Sequence, residues 1–405
     1  MKILIIHPHG NQNTSKTVKT LYKTNLLDTF WTTIAFPKKL NFLRKKIYNI
    51  DYKYIKIRFF KELLRQICVL FKLKKFYSKD SDIFSTNSVY KDLDLKVSRY
   101  LETKKKSNKI NVIYSYEDCA LNSFKTAKKQ GIQTVYDLTS PYWRLKKNII
   151  DEELKINPEW KLSSLEIMSE KKCQNKDKEI LLSDKLIVAS SFSAKSLDFN
   201  PNKITNEIKI IPYGIDPPQN NKIFKRQEND KLKILFVGRP VISKGIHYLV
   251  RIINKLEIPW ELEIVGNIPE KPEEISKELS QFFTDYRCKF LGQISHREVK
   301  NKMKTNHIFL FPTLFEGFGQ VILEAMSSSL PIITTINTAG KDIIENGKNG
   351  YLTDIRDINI SKDILHNLYD KEDLRMHIAE NSYKNSINFS WKNYEKNLGN
   401  FLKEL

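Results

Sequence analysis

The sequence predicts an α/β protein built as two doubly wound, Rossmann-like lobes facing each other across a cleft, and three observations predict it. Short β-rich runs alternate with helical stretches of similar spacing in two separate series. A polar stretch rich in Pro, Asn and Lys, residues 217–230, divides the two series. The chain has 405 residues, too many for one ordinary core and suited to two or three domains at roughly 150 residues each.

Residues 2–6 read as a buried strand, followed by the loop His7-Pro8-His9-Gly10-Asn11 and a helix expected over residues 16–27. Residues 111–116 and 133–138 are β-rich and flank a helical stretch at 120–129, the pattern of a parallel βαβ unit. Two more strands are expected at 185–189 and 208–211, with Ser190-Ser191 placed to cap the helix after the first. In the second series, strands are expected at 233–237, 261–265, 289–291, 307–311 and 331–334, each followed by a helical segment. Open α/β sheets bind ligands beyond the carboxyl ends of their strands, so function is sought in the cleft.

Composition narrows the class. Hydrophobic residues make up 40% and charged residues 28%, a balance that supports packed cores rather than extended disorder. Cys68, Cys119, Cys173 and Cys288 lie far apart without a CxxC pair, so neither a disulfide framework nor a zinc site is expected and a cytoplasmic setting fits. The apolar run at residues 3–6 is closed by His7-Pro8, too short for a signal-peptide core or a membrane span. The formal charge is +21, and residues 37–79 hold 14 Lys/Arg against two acids, Asp51 and Glu62. Aromatic and aliphatic residues interleave with those bases. Two readings stand: an amphipathic element on the anionic inner face of a membrane, or solvated helix faces covering a core. No nucleic-acid reader motif accompanies the patch, so no nucleic-acid partner is expected.

Two segments of the second series carry chemistry. A strand ending at Val237 runs into Gly238-Arg239 and on to Lys244-Gly245. An Arg and a Lys at the mouth of such an element can share one diphosphate, the Arg as a bidentate fork and the Lys as a compact charge. The strand ending at Phe311 leads to Glu316-Gly317-Phe318-Gly319, where the glycines admit close backbone approach and the next helix aims free N–H groups at the cleft. Glu316 and Glu324 are acceptors suited to sugar or ribose hydroxyls. Taken singly, Glu316 could be a helix cap and Glu324 a solvated helix residue.

Together these segments, with Ala325-Met326 and Leu330-Pro331-Ile332-Ile333, resemble the C-terminal lobe of the GT-B-fold retaining glycosyltransferases of the large family that includes sucrose synthases and bacterial polysaccharide mannosyltransferases. The E-x7-E spacing of Glu316 and Glu324 is the most specific mark. The likeness runs on through Asp342 to Leu352, with Asp342 where the family usually has Glu, and covers about 180–352 well. It implies that Arg239 and Lys244 hold the donor diphosphate, that Glu316 binds ring hydroxyls, that the amides of Gly317, Phe318 and Gly319 touch sugar and phosphate, and that Glu324 takes the ribose hydroxyls. It implies no metal and no cofactor beyond the nucleotide-sugar itself. The implied division is an acceptor-side lobe at 1–212 and a donor lobe at 213–391, with the helix 392–405 returning to the first lobe.

The N-terminal lobe departs from the family pattern. Where members commonly carry His beyond the strand at 133–138, this chain has Asp137, a candidate to contact the donor sugar or orient the acceptor hydroxyl. Glu117-Asp118 is the other acidic candidate. Gly10 and Asn11 are expected at the cleft, near phosphate or acceptor. The expected function is transfer of a hexose-type sugar from a nucleoside diphosphate to a hydroxyl acceptor (glycolipid, polysaccharide or small molecule). A catalytically silent GT-B scaffold at a membrane and a nucleotide-sugar epimerase are the alternatives.

Overall fold

The computed structural model describes every residue except 37–47, 104–109, 163–165, 203, 219–221, 228–229 and 268–271. The first sheet contains β1 (Ile3–Ile6), β2 (Leu27–Thr32), β3 (Ile55–Ile57), β4 (Val112–Tyr116), β5 (Gln133–Leu138), β6 (Lys185–Val188) and β7 (Glu207–Ile210), in the order β3-β2-β1-β4-β5-β6-β7. The second contains β8 (Leu232–Val237), β9 (Trp260–Val265), β10 (Cys288–Gly292), β11 (Ile308–Phe311), β12 (Ile332–Thr335) and β13 (Tyr351–Thr353), in the order β10-β9-β8-β11-β12-β13. The paired strands of both sheets run parallel. Each sheet reverses its winding once, between β1 and β4 in the first and between β8 and β11 in the second. Those switch points are where a doubly wound sheet opens a crevice.

Parallel sheets covered on both faces need strands apolar on both sides. β1 is buried throughout, with Ile3 and Ile5 in one hydrophobic layer and Leu4 and Ile6 in the other. β11 is likewise buried at all four positions.

One expected element shifts. The helix expected over 16–27 spans Gln12–Lys23, and Leu27 opens β2. Asn11 starts the helix early by accepting from the Thr14 N–H at 2.8 Å. At the other end Thr24 turns back onto the Thr20 carbonyl at 2.9 Å and Asn25 takes φ 57°, which releases Leu27 to pair beside Ile3.

The last helix, Trp391–Lys403, lies on the helix Gln12–Lys23, where the Tyr394 and Thr17 hydroxyls meet at 2.8 Å and Lys19 pairs with Glu395 at 3.2 Å. The chain crosses back beside Ile215, whose N–H donates to the Phe389 carbonyl at 2.8 Å. Gly214 permits the crossing, since a Cβ there would stand 2.5 Å from the Trp391 nitrogen.

Residues 37–47 of the basic segment lie outside the described residues. Its remainder carries the helix Phe60–Leu70, which buries Glu62 and Cys68. Phe59, Phe60, Leu63, Ile67, Leu70 and Phe71 on and beside it are exposed, Leu70 at 76% and Phe71 at 67%. No described helix is long and apolar enough to cross a membrane.

Candidate active site

At the second switch point, the loops leaving β8 and β11 bring two of the predicted donor residues, Lys244 and Glu316, together. Lys244 ends the turn after β8, where Gly245 adopts φ 67° with its Cα directed at Pro312; an added Cβ would stand 1.8 Å from the Pro312 carbonyl oxygen. Only glycine fits that approach, which holds the Lys244 turn against the β11 exit. The Lys244 ammonium donates to Glu316 Oε1. The two side chains keep 27% and 19% of their exposure, so the pair faces the cleft rather than the core. Arg239 is exposed; its carbonyl accepts from the Val241 N–H at 2.8 Å, and its guanidinium makes no hydrogen bond or ion pair within the described residues, which leaves those donors for a ligand. The Glu316 N–H is itself held by the Asn337 carbonyl at 2.9 Å, which fixes the carboxylate's base.

Glu316 is not a helix cap. That position belongs to Gly319, at φ 79°, at the start of the helix Gln320–Ser327. Nor is Glu324 a solvated helix residue: its side chain is 15% exposed, 3.8 Å from His296 Nε2, and burial pushes its carboxyl up to about 7. The ring of Phe318 is buried at 2% exposure and meets Tyr213 edge-on at 5.4 Å, so only its backbone can serve a ligand.

Gly317 joins the lobes. A Cβ on it would fall 2.2 Å from the Thr139 carbonyl and 3.0 Å from Ser140 Cα, both in the loop after β5. Its carbonyl accepts from Ser193 Oγ at 2.9 Å and also from Ser190 Oγ. Ser190 caps its helix as expected, accepting from the Ser193 N–H at 3.1 Å. Asp342 Oδ2 reaches across to the Ser191 N–H at 2.9 Å, and Glu166 Oε1 accepts from the Ser243 N–H at 3.0 Å.

The first-lobe candidates are distributed differently. Asp137 is 2% exposed, accepts from the Tyr114 hydroxyl at 2.7 Å, and is pushed by burial to about 7. None of its described contacts is to Lys244 or Glu316. Asn11 is the helix cap already described, and Gly10, at φ 54°, is covered by the Tyr48 hydroxyl, 1.6 Å from where its Cβ would be. The described contacts of both stay within the first lobe. Glu117 and Asp118 form a polar cluster with Lys176, whose ammonium lies 2.5 Å from Glu117 and 3.0 Å from Asp118. Burial alone would depress Lys176, and the two carboxylates override it and raise its pKa. Ser140 Oγ donates to Glu117 at 3.2 Å and accepts from Lys146 at 2.8 Å, which ties this cluster to the loop that holds Gly317.

A family model described as Glycosyl transferases group 1 matches residues 218–385. That match takes in most of the second lobe. An uncharacterized glycosyltransferase of Methanocaldococcus jannaschii is 31% identical over 212 residues, 52% of this chain and 56% of its own length. The capsular polysaccharide biosynthesis glycosyltransferase CapM of Staphylococcus aureus is 30% identical over 240 residues, 55% of this chain and 62% of its own. The chain spans little more than half the length of these relatives. Among solved structures, Anabaena HepE in complex with UDP-glucose superposes over the whole of both chains with a TM-score of 0.65 at 15% identity. Sucrose-phosphate synthase from Thermosynechococcus elongatus gives 0.67 at 15% identity, over 100% of this chain and 98% of that one. That likeness is one of fold, the GT-B arrangement of two facing Rossmann-like lobes.

The sequence reading missed the first-lobe residues that seat the second lobe's loops: Ser140 and Ser193 at Gly317, and Glu166 at Ser243. Ser and Glu in loops carry no periodic or motif signal, so only the three-dimensional contact reveals them. Ser190 was legible as a helix cap, but its second bond, to Gly317, was not.

Proposed function

We propose that the chain is a glycosyltransferase that moves a sugar from a nucleoside-diphosphate donor to a hydroxyl acceptor, with retention at the anomeric carbon and without a metal. The observation that carries the reading is the Lys244–Glu316 pair at the sheet's switch point, with the unpartnered Arg239 on the neighbouring turn. A diphosphate entering there would take Lys244 from Glu316 and engage Arg239, freeing the Glu316 carboxylate to accept from ring hydroxyls. Glu324, further along the helix, would accept from the ribose. As the bond from the anomeric carbon to the diphosphate oxygen breaks, the acceptor oxygen bonds to that carbon and its proton passes to the departing diphosphate. Negative charge grows on the diphosphate during this step, so cations already in place lower the barrier most. Retention rests on the family likeness; independence from metal rests on two cations and a helix start serving one diphosphate.

HepE was solved with UDP-glucose, which makes UDP-sugars the first donors to try. The test is release of nucleoside diphosphate from a panel of UDP-, GDP- and ADP-sugars, with and without a chelator. Saturable binding of one donor and chelator-resistant turnover are expected; failure of every nucleotide to bind would end the reading. Donor epimerised in the absence of acceptor would favour an epimerase instead.

The exposed apolar residues around the helix Phe60–Leu70, flanked by Lys53, Lys56, Arg58, Lys61, Lys72, Lys74 and Lys75, support a place for the enzyme on the cytoplasmic face of a membrane. Sedimentation with vesicles of neutral or anionic phospholipid tests this. Binding only to anionic vesicles, lost in a Phe60→Ser/Leu70→Ser/Phe71→Ser variant, is the expected result, and equal recovery without vesicles would refute it.

A further inference from the structure

A cavity of about 480 Å³ lies between the lobes, walled by Trp143, Ile150, Leu162, Met168, Ser243 and Phe315. Two of these fix its place. Ser243 immediately precedes Lys244 and Phe315 immediately precedes Glu316, so the cavity borders the two loops that carry the pair, with first-lobe residues forming the rest of its wall. The donor's diphosphate and ribose ligands, by contrast, belong to the second lobe.

The chemistry of the wall is mostly apolar, and its charged members are already engaged. Lys147 pairs with Asp151. Lys146 donates to Ser140 Oγ at 2.8 Å, Glu166 accepts from the Ser243 N–H at 3.0 Å, and Glu170 accepts from Gln174 at 3.2 Å. What the wall offers a guest is therefore mainly apolar surface, its charged side chains already hydrogen-bonded. A bare sugar or a small polyol would leave its hydroxyls without partners against Trp143, Ile150 and Leu162. An alkyl or isoprenoid-like chain would bury apolar area at no such cost.

The surroundings supply a second line. Ile167, also in the wall, is 61% exposed, and Ser169 just beyond it donates through its N–H to Asp80 at 3.3 Å. Asp80 also pairs with Lys172 at 3.5 Å. The segment that follows the exposed apolar helix Phe60–Leu70 is thereby fastened to the wall of the cavity.

We infer that this cavity holds the apolar part of the acceptor, so that the acceptor is an amphipath whose hydroxyl is presented to the Lys244–Glu316 pair. The inference rests on the glycosyltransferase reading and narrows its acceptor to lipid-like hydroxyl compounds.

The probes are methyl, hexyl and octyl β-glucoside, each below its micellar concentration, titrated calorimetrically into the full chain. Kd should fall by up to about fourfold for each added methylene, the gain set by burying that group. Leu162→Trp, and separately Ile150→Trp, should fill the cavity and weaken octyl glucoside at least about tenfold while leaving nucleoside-diphosphate affinity within about twofold; these magnitudes follow from losing two or more buried methylenes. Equal affinity for methyl and octyl glucoside would overturn the inference, and so would octyl binding indifferent to Leu162→Trp, the variant at the half-buried position that tolerates a larger side chain. Detergent-like adsorption elsewhere would show as that indifference. If no nucleoside diphosphate binds the wild type, the glycosyltransferase reading fails on its own, whatever the alkyl series shows.

Discussion

Replacing Lys244 by Ala removes the cation nearest the predicted reaction centre and little else. Its ammonium touches Glu316, and both side chains are partly exposed, so their pairing contributes about 0–1 kcal/mol to stability after screening. The melting temperature should therefore move by no more than about 2–4 °C. Turnover is a different matter. Loss of one preorganised donor to developing charge costs on the order of 10²–10³ in rate, or about 2.7–4 kcal/mol. The deletion also strands the Glu316 carboxylate beside an anionic ligand, where like charges repel. A second change, Glu316→Gln, removes that charge, so the double variant should bind nucleoside diphosphate more tightly than Lys244→Ala alone, by about tenfold if the repulsion is of order 1.4 kcal/mol. Nucleoside-diphosphate release under saturating donor measures the first effect, and calorimetric titration measures the second. Lys244→Ala retaining turnover within threefold of wild type, with the fold intact, would refute the placement of the diphosphate.

Three further outcomes follow from the site. Glu324, pushed by burial to about 7, accepts fully from ribose hydroxyls only when ionised, so donor affinity should rise about tenfold between pH 6 and pH 8 and lose that slope in Glu324→Gln; a slope unchanged in the variant would exclude Glu324. Asp137 titrates near 7 in the fold against an ordinary value of 3.8, so the unfolded chain loses its proton first and stability declines as pH rises from about 4 to 7. Asp137→Asn should match wild type near pH 4 and melt higher at pH 8, and a variant that melts lower at both would show that the charge is wanted. Gly317→Ala sets a Cβ 2.2 Å from the Thr139 carbonyl, so turnover should drop at least about tenfold, as expected when reacting groups are misplaced by an ångström, while nucleotide binding stays within threefold. An unchanged radius of gyration in solution together with full turnover would show that the lobes accommodate the methyl group.

The donor half of the site was legible because it is local in the chain. Gly238-Arg239, Lys244-Gly245 and the Glu316 to Glu324 segment each follow a strand whose continuous apolar run announces it, and each strand end becomes a loop where a parallel sheet places ligands. The strand at 185–188 was readable for the same reason. β2 was not: Leu27 completes a helical spacing from residue 16, and only the Thr24 turn and pairing beside β1 override that periodicity. Asp137 shows the limit more sharply. Its position at the end of β5 matches a strand-end acid, yet strand alternation points it toward Tyr114 inside the lobe.

The acceptor half is assembled from contacts far apart in sequence, and that has a mechanical consequence. Glu153 is fully buried, receives Tyr248 at 2.7 Å and Arg356 at 2.8 Å, and shares a bond with His247 at 2.8 Å. Burial alone would raise its pKa, but these bonds outweigh that and hold it at about 2. One carboxylate from the first lobe thus anchors three side chains of the second, while Ser190, Ser193 and Thr139 close on Gly317 a short way off. The cavity beside Phe315 lies between these ties. A group entering it must fit between lobes already joined on either side, so its shape and polarity select the acceptor, whereas Arg239, exposed on its turn, leaves the donor side open.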